Sequence, residues 1–373
     1  MTERTLTFIV TESCQLRCKY CYLVGKNDKR RMSLDIAKQA VKFIFKEPFL
    51  HQTDKVIFDF IGGEPLLEID LISETMDYAV NYMLKHNHKW MKNYEIRITT
   101  NGLLYNNPKV QTFIQRYKEH LSISISIDGN KSKNDVNRIF PNGKGSYDNI
   151  IENVHLWIKQ FPNEGTKMTI SHKDIPYLYE SLKHLVDIGI TKIDVNPIVE
   201  NVWENGDGQK FEEQLLLFAD YIIDNNLWQS LQISAFEDFI GHPIEQKQKL
   251  NPCGTMSLSI DGDGNLYSCI RFVEYSLRDK LSRTIGNIFE GLDKNKIRAD
   301  SSLFNDVVSP TQCLECEIAS GCKWCPAESY DSSTTGSIQN RTTFHCELHR
   351  AKVRAKNYYY NKLKSIGYYH DRY

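Results

Sequence analysis

The sequence predicts an α/β protein in which a partial, TIM-like barrel of six β/α units is followed by a cysteine-rich domain. Three observations support this prediction. Six short apolar strands alternate with amphipathic helices over residues 5 to about 228, polar motifs stand at the ends of these strands, and all ten cysteines fall in two groups, one near the start and one in the last third of the chain. We therefore expect a barrel over residues 1–230 and a second domain over residues 231–373.

The predicted strands are short and rich in Ile, Val, Phe and Thr, which is typical of parallel strands that are buried on both faces. They cover residues 5–10, 55–60, 94–99, 121–127, 167–171 and 192–196. Between them, apolar residues recur at the spacing of one helix face, as in Leu34, Ala37, Val41 and Ile44. Two further strands, 257–260 and 265–270, flank the turn sequence Asp261-Gly262-Asp263-Gly264 and predict a hairpin.

Composition limits the classes of function. The chain has 373 residues, of which 41% are hydrophobic, so it can bury a large core. Its formal net charge of −1 argues against a broad basic face for nucleic acid. No apolar run approaches the ~20 residues needed to span a bilayer, and the N-terminus lacks the pattern of a signal peptide. We expect a cytoplasmic protein with neither nucleic-acid nor membrane partners.

The most informative local motif is a cysteine loop that directly follows the first predicted strand. It comprises Cys14, Cys18 and Cys21 at the spacing C-x3-C-x2-C, with Tyr20 before the last cysteine. Three thiolates on one loop can hold three irons of a [4Fe–4S] cluster and leave the fourth iron open for a small molecule. Structural zinc usually takes four ligands, and no fourth Cys or His lies nearby in the sequence. An open cluster is the favoured interpretation, and zinc or a disulfide is the alternative.

The other polar motifs each stand at the C-terminal end of a predicted strand. They are Gly62-Gly63-Glu64-Pro65 after the second strand, Thr99-Thr100-Asn101-Gly102 at the third, Ser126-Ile127-Asp128-Gly129 at the fourth and Asn196-Pro197 at the sixth. In α/β barrels this rim carries the ligand-binding and catalytic residues. Gly-Gly-Glu-Pro and Asn-Gly taken alone are typical of turns. Their shared position on one rim favours a functional site.

These motifs together resemble those of the radical S-adenosylmethionine (SAM) enzymes. The cysteine loop with Tyr20 is similar to the CxxxCxΦC motif of that family, and Gly62-Gly63-Glu64 is similar to its GGE motif. The resemblance covers about residues 5–230 and implies a six-unit partial barrel. It also implies that the open iron chelates the amino and carboxylate groups of SAM. Reductive cleavage of SAM would then yield a 5′-deoxyadenosyl radical that abstracts a hydrogen atom from the substrate.

The resemblance places SAM on residues of this rim. The expected cofactor-binding set is Tyr20, Gly62, Gly63, Glu64, Asn101, Ser126, Asp128 and Arg138. The two glycines would let the backbone approach the ligand, and the glutamate would accept from its ammonium group. The serine and the aspartate would bond ribose hydroxyls. Arg138 matches a position that binds the SAM carboxylate in related members, although a solvated loop arginine is the alternative.

The C-terminal third resembles a SPASM domain, the auxiliary iron–sulfur module of peptide-modifying radical SAM enzymes. Its cysteines are Cys253, Cys269, Cys313, Cys316, Cys322, Cys325 and Cys346. Gly264 and Cys269 match the G-x4-C element of that pattern, and the spacing from Cys313 to Cys322 matches C-x2-C-x5-C. The next step departs from the pattern, because only two residues separate Cys322 from Cys325.

This resemblance implies two auxiliary [4Fe–4S] clusters and therefore three clusters in the chain. Four cysteines would hold one of them, namely Cys313, Cys316, Cys322 and Cys346, and the other would be held by Cys253, Cys269 and Cys325. The three-cysteine cluster then has an open iron or a ligand from elsewhere, for which His345 is a candidate. A zinc ribbon is the alternative for the C-x2-C pairs, whereas a disulfide framework is disfavoured in a large chain without a signal peptide.

SPASM-bearing enzymes mostly modify peptides or proteins, so the resemblance implies a precursor peptide as the substrate. Many anaerobic sulfatase maturases carry an Asp directly after the Cys of G-x4-C, where this chain has Ile270 followed by Arg271. An open auxiliary iron is instead found in thioether-forming maturases, where it is thought to hold the substrate thiolate. We therefore expect a ribosomal-peptide maturase that installs cysteine thioether cross-links. A sulfatase maturase that forms formylglycine and a carbon–carbon cross-linking maturase are the alternatives.

The remaining expectations concern partners. Thirteen residues precede Cys14, too few for the leader-binding domain of many such maturases, so a separate leader-binding protein or the core itself would bind the leader. The Tyr-, Lys- and Arg-rich segment 350–373 would form a closing helix or contribute to docking. A flavodoxin or ferredoxin is the expected electron donor. A non-catalytic iron–sulfur carrier and a zinc-ribbon nucleic-acid binder are the other classes, disfavoured by the GGE motif and the near-zero charge.

Overall fold

Parallel strands alternate with helices through the first part of the molecule. The computed structural model describes residues 2–26, 29–243, 257–297, 311–338 and 341–368. The barrel elements are β1 (Glu3–Thr11), α1 (Leu34–Lys46), β2 (Lys55–Gly62), α2 (Ile69–Lys85), β3 (Tyr94–Thr100), α3 (Pro108–Tyr117), β4 (Leu121–Ile125), α4 (Lys131–Asn137), α5 (Tyr147–Gln160), β5 (Thr166–Ile170), α6 (Leu178–Asp187), β6 (Lys192–Pro197) and α7 (Asp207–Asp224). The predicted α/β class with a partial barrel is confirmed.

The later described elements are shorter, apart from the last helix. They are β7 (Gln232–Ile233), β8 (Ser257–Ile260), β9 (Asn265–Tyr267), β10 (Gly286–Asn287), β11 (Gly291–Leu292), α8 (Thr311–Leu314), α9 (Pro326–Ser332) and α10 (Cys346–Ser365). One sheet has the strand order β11–β10–β9–β8–β1–β2–β3–β4, and a second has the order β5–β6–β7. The pairs within β1–β4 and within β5–β7 are parallel. All polar motifs after β1–β6 therefore lie on one rim.

Helices cover the outer face of the sheets and bury one apolar side each. The side chain of Ser33 accepts a hydrogen bond from the Ile36 amide and caps α1, whose buried face includes Val41 and Ile44. Asn107 caps α3 in the same way, with Pro108 in the first turn, where its missing N–H costs nothing. These local signals explain why the helices begin where their apolar spacing predicts.

The barrel ladder is interrupted between β4 and β5, and side chains bridge the gap. The hydroxyl of Thr166 donates to the Ile125 carbonyl over 2.7 Å and accepts from the Ile127 amide over 3.3 Å. The indole of Trp157 donates to the Ile123 carbonyl over 2.7 Å. The strand predicted over 121–127 ends at Ile125: the Ser126 amide still donates to the Thr100 carbonyl of β3, but the Ile127 amide bonds the Thr166 side chain instead of a neighbouring strand.

The predicted C-terminal hairpin extends the barrel sheet. β8 pairs in parallel with β1 from Thr5 opposite Ser257 to Phe8 opposite Ile260, and β9 runs antiparallel to β8. Gly264 occupies the left-handed region of the turn, with φ at 81°. β9 ends at Tyr267, three residues before the predicted end, because Ile270–Phe272 forms a 3₁₀ turn. The cysteine-rich part is thus joined to the barrel through backbone hydrogen bonds.

The last helix packs on α7 of the barrel. Its buried face includes Leu348, Ala351 and Tyr359. At its edges, Arg354 forms a salt bridge with Glu212 at 2.6 Å, and the Tyr358 hydroxyl donates to Asp220 over 2.8 Å. These contacts support a closing helix, which begins four residues earlier than residue 350. Across the residues described above, no helix combines the length and the apolar character needed to cross a bilayer.

We expect Thr166→Val to lower the free energy of unfolding by about 1–3 kcal/mol, because the valine leaves the Ile125 carbonyl and the Ile127 amide without their buried partner. Chemical denaturation of anaerobically prepared protein would measure the change. Thr169→Val on the same strand is the matched control, since no hydrogen bond of its hydroxyl is found in the described structure. Equal losses in the two variants would contradict the bridging role.

Candidate functional site

The cysteine loop is fixed by a backbone ladder to the segment after α4. The Arg17 amide donates to the Ile139 carbonyl over 2.7 Å, and the Lys19 amide donates to the Asn137 carbonyl over 3.0 Å. Cys14 is buried, whereas Cys18 and Cys21 are partly exposed. The backbone of the loop is therefore held in place, and Cys21 stands in the wall of a cavity.

The two glycines of the GGE motif allow β2 to pass very close to the cysteine loop. The Gly63 amide donates to the Thr11 carbonyl, and the Glu64 amide donates to the Ser13 carbonyl, both over 2.8 Å. A Cβ atom on Gly63 would lie 2.1 Å from the Ser13 oxygen, and one on Gly62 would lie 2.1 Å from the Thr11 oxygen. The glycines are thus required for contact with the loop itself, which sequence reasoning attributed to a ligand alone.

Glu64 points inward and ties the second rim motif to the third. Its carboxylate accepts from the Thr100 hydroxyl and the Asn101 amide over 2.7 Å, and from the Leu66 amide over 3.1 Å. Burial raises the pKa of Glu64, and the three donors oppose that shift. An ionised carboxylate has about four acceptor positions, so one remains. Its predicted contact with the SAM ammonium group stays a prediction.

Asn101 is more than a turn residue. Its side-chain amide lies 3.8 Å from the Cys14 sulfur and donates to Gln15 over 3.1 Å, while its oxygen accepts from the Leu103 amide over 2.9 Å. Gly102 supplies the positive φ of 84° that this turn needs. Asn101 therefore connects the end of β3 to the cysteine loop, and its contact with SAM remains untested.

Tyr20, Asp128 and Arg138 form a buried chain beneath the loop. The Tyr20 hydroxyl donates to Asp128, and Arg138 donates to the same hydroxyl over 2.9 Å. The second oxygen of Asp128 accepts from the Thr169 amide over 3.0 Å, and the side chain is fully buried. Both oxygens of Asp128 thus accept hydrogen bonds within the protein, and its expected contact with ribose stays a prediction. Ser126 is partly exposed on the rim and stays a candidate for that role.

Arg138 has a donor to spare. It is 7% exposed, and its Nε atom has no hydrogen-bond partner in the described structure. A buried guanidinium with a free donor fits an anionic group such as a carboxylate. The same charge acts on the loop: burial raises the pKa of Cys18 to about 11, and Arg138 opposes that shift. A metal would remove the thiol proton outright.

Four C-terminal cysteines line one cavity of about 320 Å³, as the resemblance implied for one auxiliary cluster. They are Cys313, Cys316, Cys322 and Cys346. Arg341 and His345 lie in the same wall. His345 contacts the Lys323 carbonyl through Nε2, and its buried Nδ1 has no hydrogen-bond partner in the described structure. His345 thus belongs to the four-cysteine cavity, which weakens its candidacy as a ligand of the other cluster.

Cys269 and Cys325 pack against a second, apolar cluster that also touches Cys21 and Tyr22. Burial raises the pKa of Cys325, Arg271 opposes this shift and Cys269 adds to it, so the two thiols are close enough to interact. Cys253 lies outside the described residues, so the three-cysteine assignment stays a prediction. No three Cys, His, Asp or Glu side chains of the described segments converge on a single ion, as a tetrahedral zinc site would require. Cluster ligands sit farther apart because each binds a different iron.

A cavity of about 510 Å³ separates the cysteine loop from the segment after Cys269. Its wall includes Cys21, Tyr22, His172, Glu200 and Arg271. The guanidinium of Arg271 forms ion pairs with Glu200 and with Glu328, the latter at 3.5 Å, and lies 5.1 Å from the centre of the Tyr22 ring. The space adjoins Cys21 and the Arg271 side chain of the segment after Cys269, and it is large enough for amino-acid side chains of a substrate.

Sequence reasoning missed two residues of this wall, Glu200 and His172. His172 directly follows Ser171 at the end of the fifth predicted strand, so the rim rule used for the other strands would have found it. Glu200 lies beyond the rim motif Asn196-Pro197, in a loop without a recognisable pattern. Its role is visible only through its distant partner Arg271.

We expect Tyr20→Phe to lower the thermal unfolding midpoint by several degrees, because it leaves buried Asp128 and Arg138 without the hydroxyl between them and costs about 1–3 kcal/mol. Scanning calorimetry under anaerobic conditions would measure it. Tyr22→Phe, two residues along the same loop, is the control, because its hydroxyl has no hydrogen bond in the part of the chain described. A Tyr20→Phe midpoint equal to that of the control would contradict the bridge.

Known proteins match the chain both in sequence and in structure. Residues 8–188 match the family model of the Radical SAM superfamily. An uncharacterized protein of Methanocaldococcus jannaschii is 31% identical over 186 residues, 49% of this chain and 59% of that protein. A cysteine-type anaerobic sulfatase-maturating enzyme of Clostridium novyi is 24% identical over 356 residues, 88% of this chain and 90% of that protein.

The fold is shared with a solved structure. Native anSMEcpe with bound AdoMet and Cp18Cys peptide matches with a TM-score of 0.71 and 17% sequence identity, over 98% of this chain and 98% of that one. The family match includes the cysteine loop, the GGE motif and the Tyr20–Asp128–Arg138 chain. The chain therefore carries a radical SAM domain over residues 8–188.

Proposed function

We propose that this enzyme is a maturase that modifies cysteine residues of a peptide or protein substrate. The observation that carries the proposal is the cavity of about 510 Å³ between the cysteine loop and the segment after Cys269. Cys21 of the cysteine loop stands in one wall of this cavity, and Arg271, two residues after Cys269, stands in another. The peptide in the matched anSMEcpe structure and the cysteine-type relative support a substrate of this class.

Cys14, Cys18 and Cys21 would hold the [4Fe–4S] cluster, with SAM at its open iron. When bound, the cluster and SAM supply an electron and a 5′-deoxyadenosyl radical that removes a hydrogen atom from the substrate. The protein contributes position and charge: the free Nε donor of Arg138 would hold the SAM carboxylate, and Ser126 would face the ribose. Glu64 and Asn101 keep the rim motifs and the loop in register.

The auxiliary cysteines would hold two further [4Fe–4S] clusters, one in the cavity of Cys313, Cys316, Cys322 and Cys346. The other would use Cys253, Cys269 and Cys325 and keep an iron open for a substrate thiolate, a strong ligand for iron. This arrangement supports thioether formation. So does the segment after Cys269, because Ile270 stands where sulfatase maturases often have an acid, and Arg271 beside it is held by two carboxylates and cannot accept a proton.

Formylglycine formation is the second candidate, and the alignment with the Clostridium novyi sulfatase-maturating enzyme over 90% of its length favours it. Both candidates share a cysteine substrate. We further propose that the enzyme works in the cytoplasm, receives electrons from a flavodoxin or ferredoxin, and takes a ribosomally made precursor peptide whose leader binds the core or a separate protein.

Reductive SAM cleavage tests the first step. With dithionite, the reconstituted enzyme should release 5′-deoxyadenosine, and Cys18→Ala should abolish the release and lower the iron content by about four from ~12 atoms per chain. Chromatography and iron and sulfide analysis would measure both. Thr112→Ala, at an exposed position of α3, is the control. A Cys18→Ala enzyme that cleaves SAM at the wild-type rate would contradict the site assignment. So would a protein that carries zinc in place of iron.

Mass spectrometry of two synthetic peptides separates the two products. We expect a cysteine-repeat peptide to lose two hydrogens per cross-link while it keeps its sulfur and loses free thiol. A sulfatase-derived peptide with a single cysteine should stay unmodified, whereas a formylglycine-forming enzyme would remove its sulfur. Modification of the sulfatase peptide alone would contradict thioether formation and support formylglycine formation.

A further inference from the structure

His172 faces the cavity between the cysteine loop and Arg271, and a buried carboxylate orients it. Its Nδ1 atom lies 2.8 Å from the Oδ2 atom of Asp207, whose side chain is 2% exposed. The same oxygen accepts from the Glu204 amide over 2.8 Å. The imidazole is itself 24% exposed, so one edge is fixed by protein and the other reaches the open space beside Cys21.

The backbone at His172 is held rigidly. The Ser171 amide donates to Asp174 over 2.7 Å, and Asp174 is fully buried with Lys133, whose Nζ atom lies 3.2 Å away. The Asn137 side-chain amide donates to the Oδ2 atom of Asp174 over 2.7 Å. The Asn137 backbone carbonyl accepts from the Lys19 amide of the cysteine loop. The same buried pair thus fixes both His172 and the loop, so the distance between them is set by the fold.

The hydrogen bond to Asp207 selects the useful tautomer of the ring. In the tautomer whose proton is on Nδ1 and donated to the carboxylate, Nε2 of His172 carries a lone pair. Glu204 now lies 3.2 Å from Nε2, but its side chain is 70% exposed and is free to turn into solvent when a substrate enters. This pairing of a base with an orienting carboxylate is the arrangement used in general-base catalysis.

The other charged groups around the cavity are less suited to accept a proton. Glu200 is already held by Arg271. The charged groups that face the His172 ring are Asp207 and Lys210 on α7, Glu204 before it, Lys173 beside it, and Lys19, Glu200, Arg271 and Arg278 across the cavity. Four residues of this set line the cavity and are cations, which favours an anion there; they are Lys19, Lys173, Arg271 and Arg278.

We infer that His172 accepts the proton of the substrate's cysteine thiol, with Asp207 as its positioning residue. This inference rests on the proposed function. The step is a proton transfer alone: the S–H bond breaks, an Nε2–H bond forms, and the electron pair stays on sulfur. A free thiol has a pKa near ~8.5, and the thiolate is the form that bonds carbon or iron. The step supplies the thiolate that both candidate products require.

The test compares His172→Gln with the wild type on the cysteine peptide that the wild type modifies, with SAM and dithionite. We expect product formation at pH 7 to fall about 10²-fold, while 5′-deoxyadenosine release stays within about twofold. The deficit should shrink as the pH rises toward ~8.5, because the thiol then ionises without help. Asp207→Asn should show the same uncoupling to a smaller degree, and it keeps the test valid if the glutamine variant folds poorly.

His155→Gln is the matched control, because this histidine lies on α5 and not in the cavity wall. Product formation that is unchanged in His172→Gln, or that falls in proportion to 5′-deoxyadenosine at every pH, would overturn the inference. A wild-type enzyme that cleaves SAM but modifies neither cysteine peptide would also overturn the inference. That result would leave the hydrogen-abstraction step in place. A wild type that releases no 5′-deoxyadenosine would instead overturn the proposed function.

Discussion

The close passage of the GGE backbone along the cysteine loop is the constraint on which the site depends. Gly62 and Gly63 let β2 approach the Thr11–Ser13 backbone to distances that no Cβ atom permits. This approach brings Glu64 to the ends of β3 and lets Asn101 reach the Cys14 sulfur. The loop, the second strand and the third strand therefore form one rigid corner. A catalytic loop that must hold three thiols in fixed positions needs such a corner, because small displacements at reacting atoms reduce rates strongly.

A second buried contact holds the opposite side of the site. Lys133 and Asp174 lie 3.2 Å apart with fully buried side chains, in the wall formed by α4 and the end of β5. Removing charges from water is costly, and the pair is tolerable because Asn137, Ser171 and the Thr169 carbonyl satisfy the remaining polar atoms. The benefit is positional, since the same residues fix the loop through Asn137 and the cavity wall through His172.

The elements of the fold followed from local patterns, whereas the partners of the polar side chains did not. Apolar spacing and strand composition placed the strands and helices within a few residues. Where predicted strands end too late, at Ile127 and Ile270, the cause is a side-chain hydrogen bond or a tight turn. The roles of Glu64 and Asp128 could not be read locally, because their partners lie far away along the chain, as Tyr20 and Asp128 do at 108 residues. A motif predicts which residues gather at the rim but not which of them face inward.

Arg271 also affects the charge of the whole cavity. Its side chain is 19% exposed, and its guanidinium pairs with the carboxylates of Glu200 and Glu328. The guanidinium carbon of Arg271 lies 5.1 Å from the centre of the Tyr22 ring, a distance typical of a cation–π contact. Because two carboxylates match the charge of Arg271, this residue adds no net positive charge to the cavity. The inferred route for a substrate proton is therefore toward an oriented base, and on this wall Asp207 orients the imidazole at the end of β5.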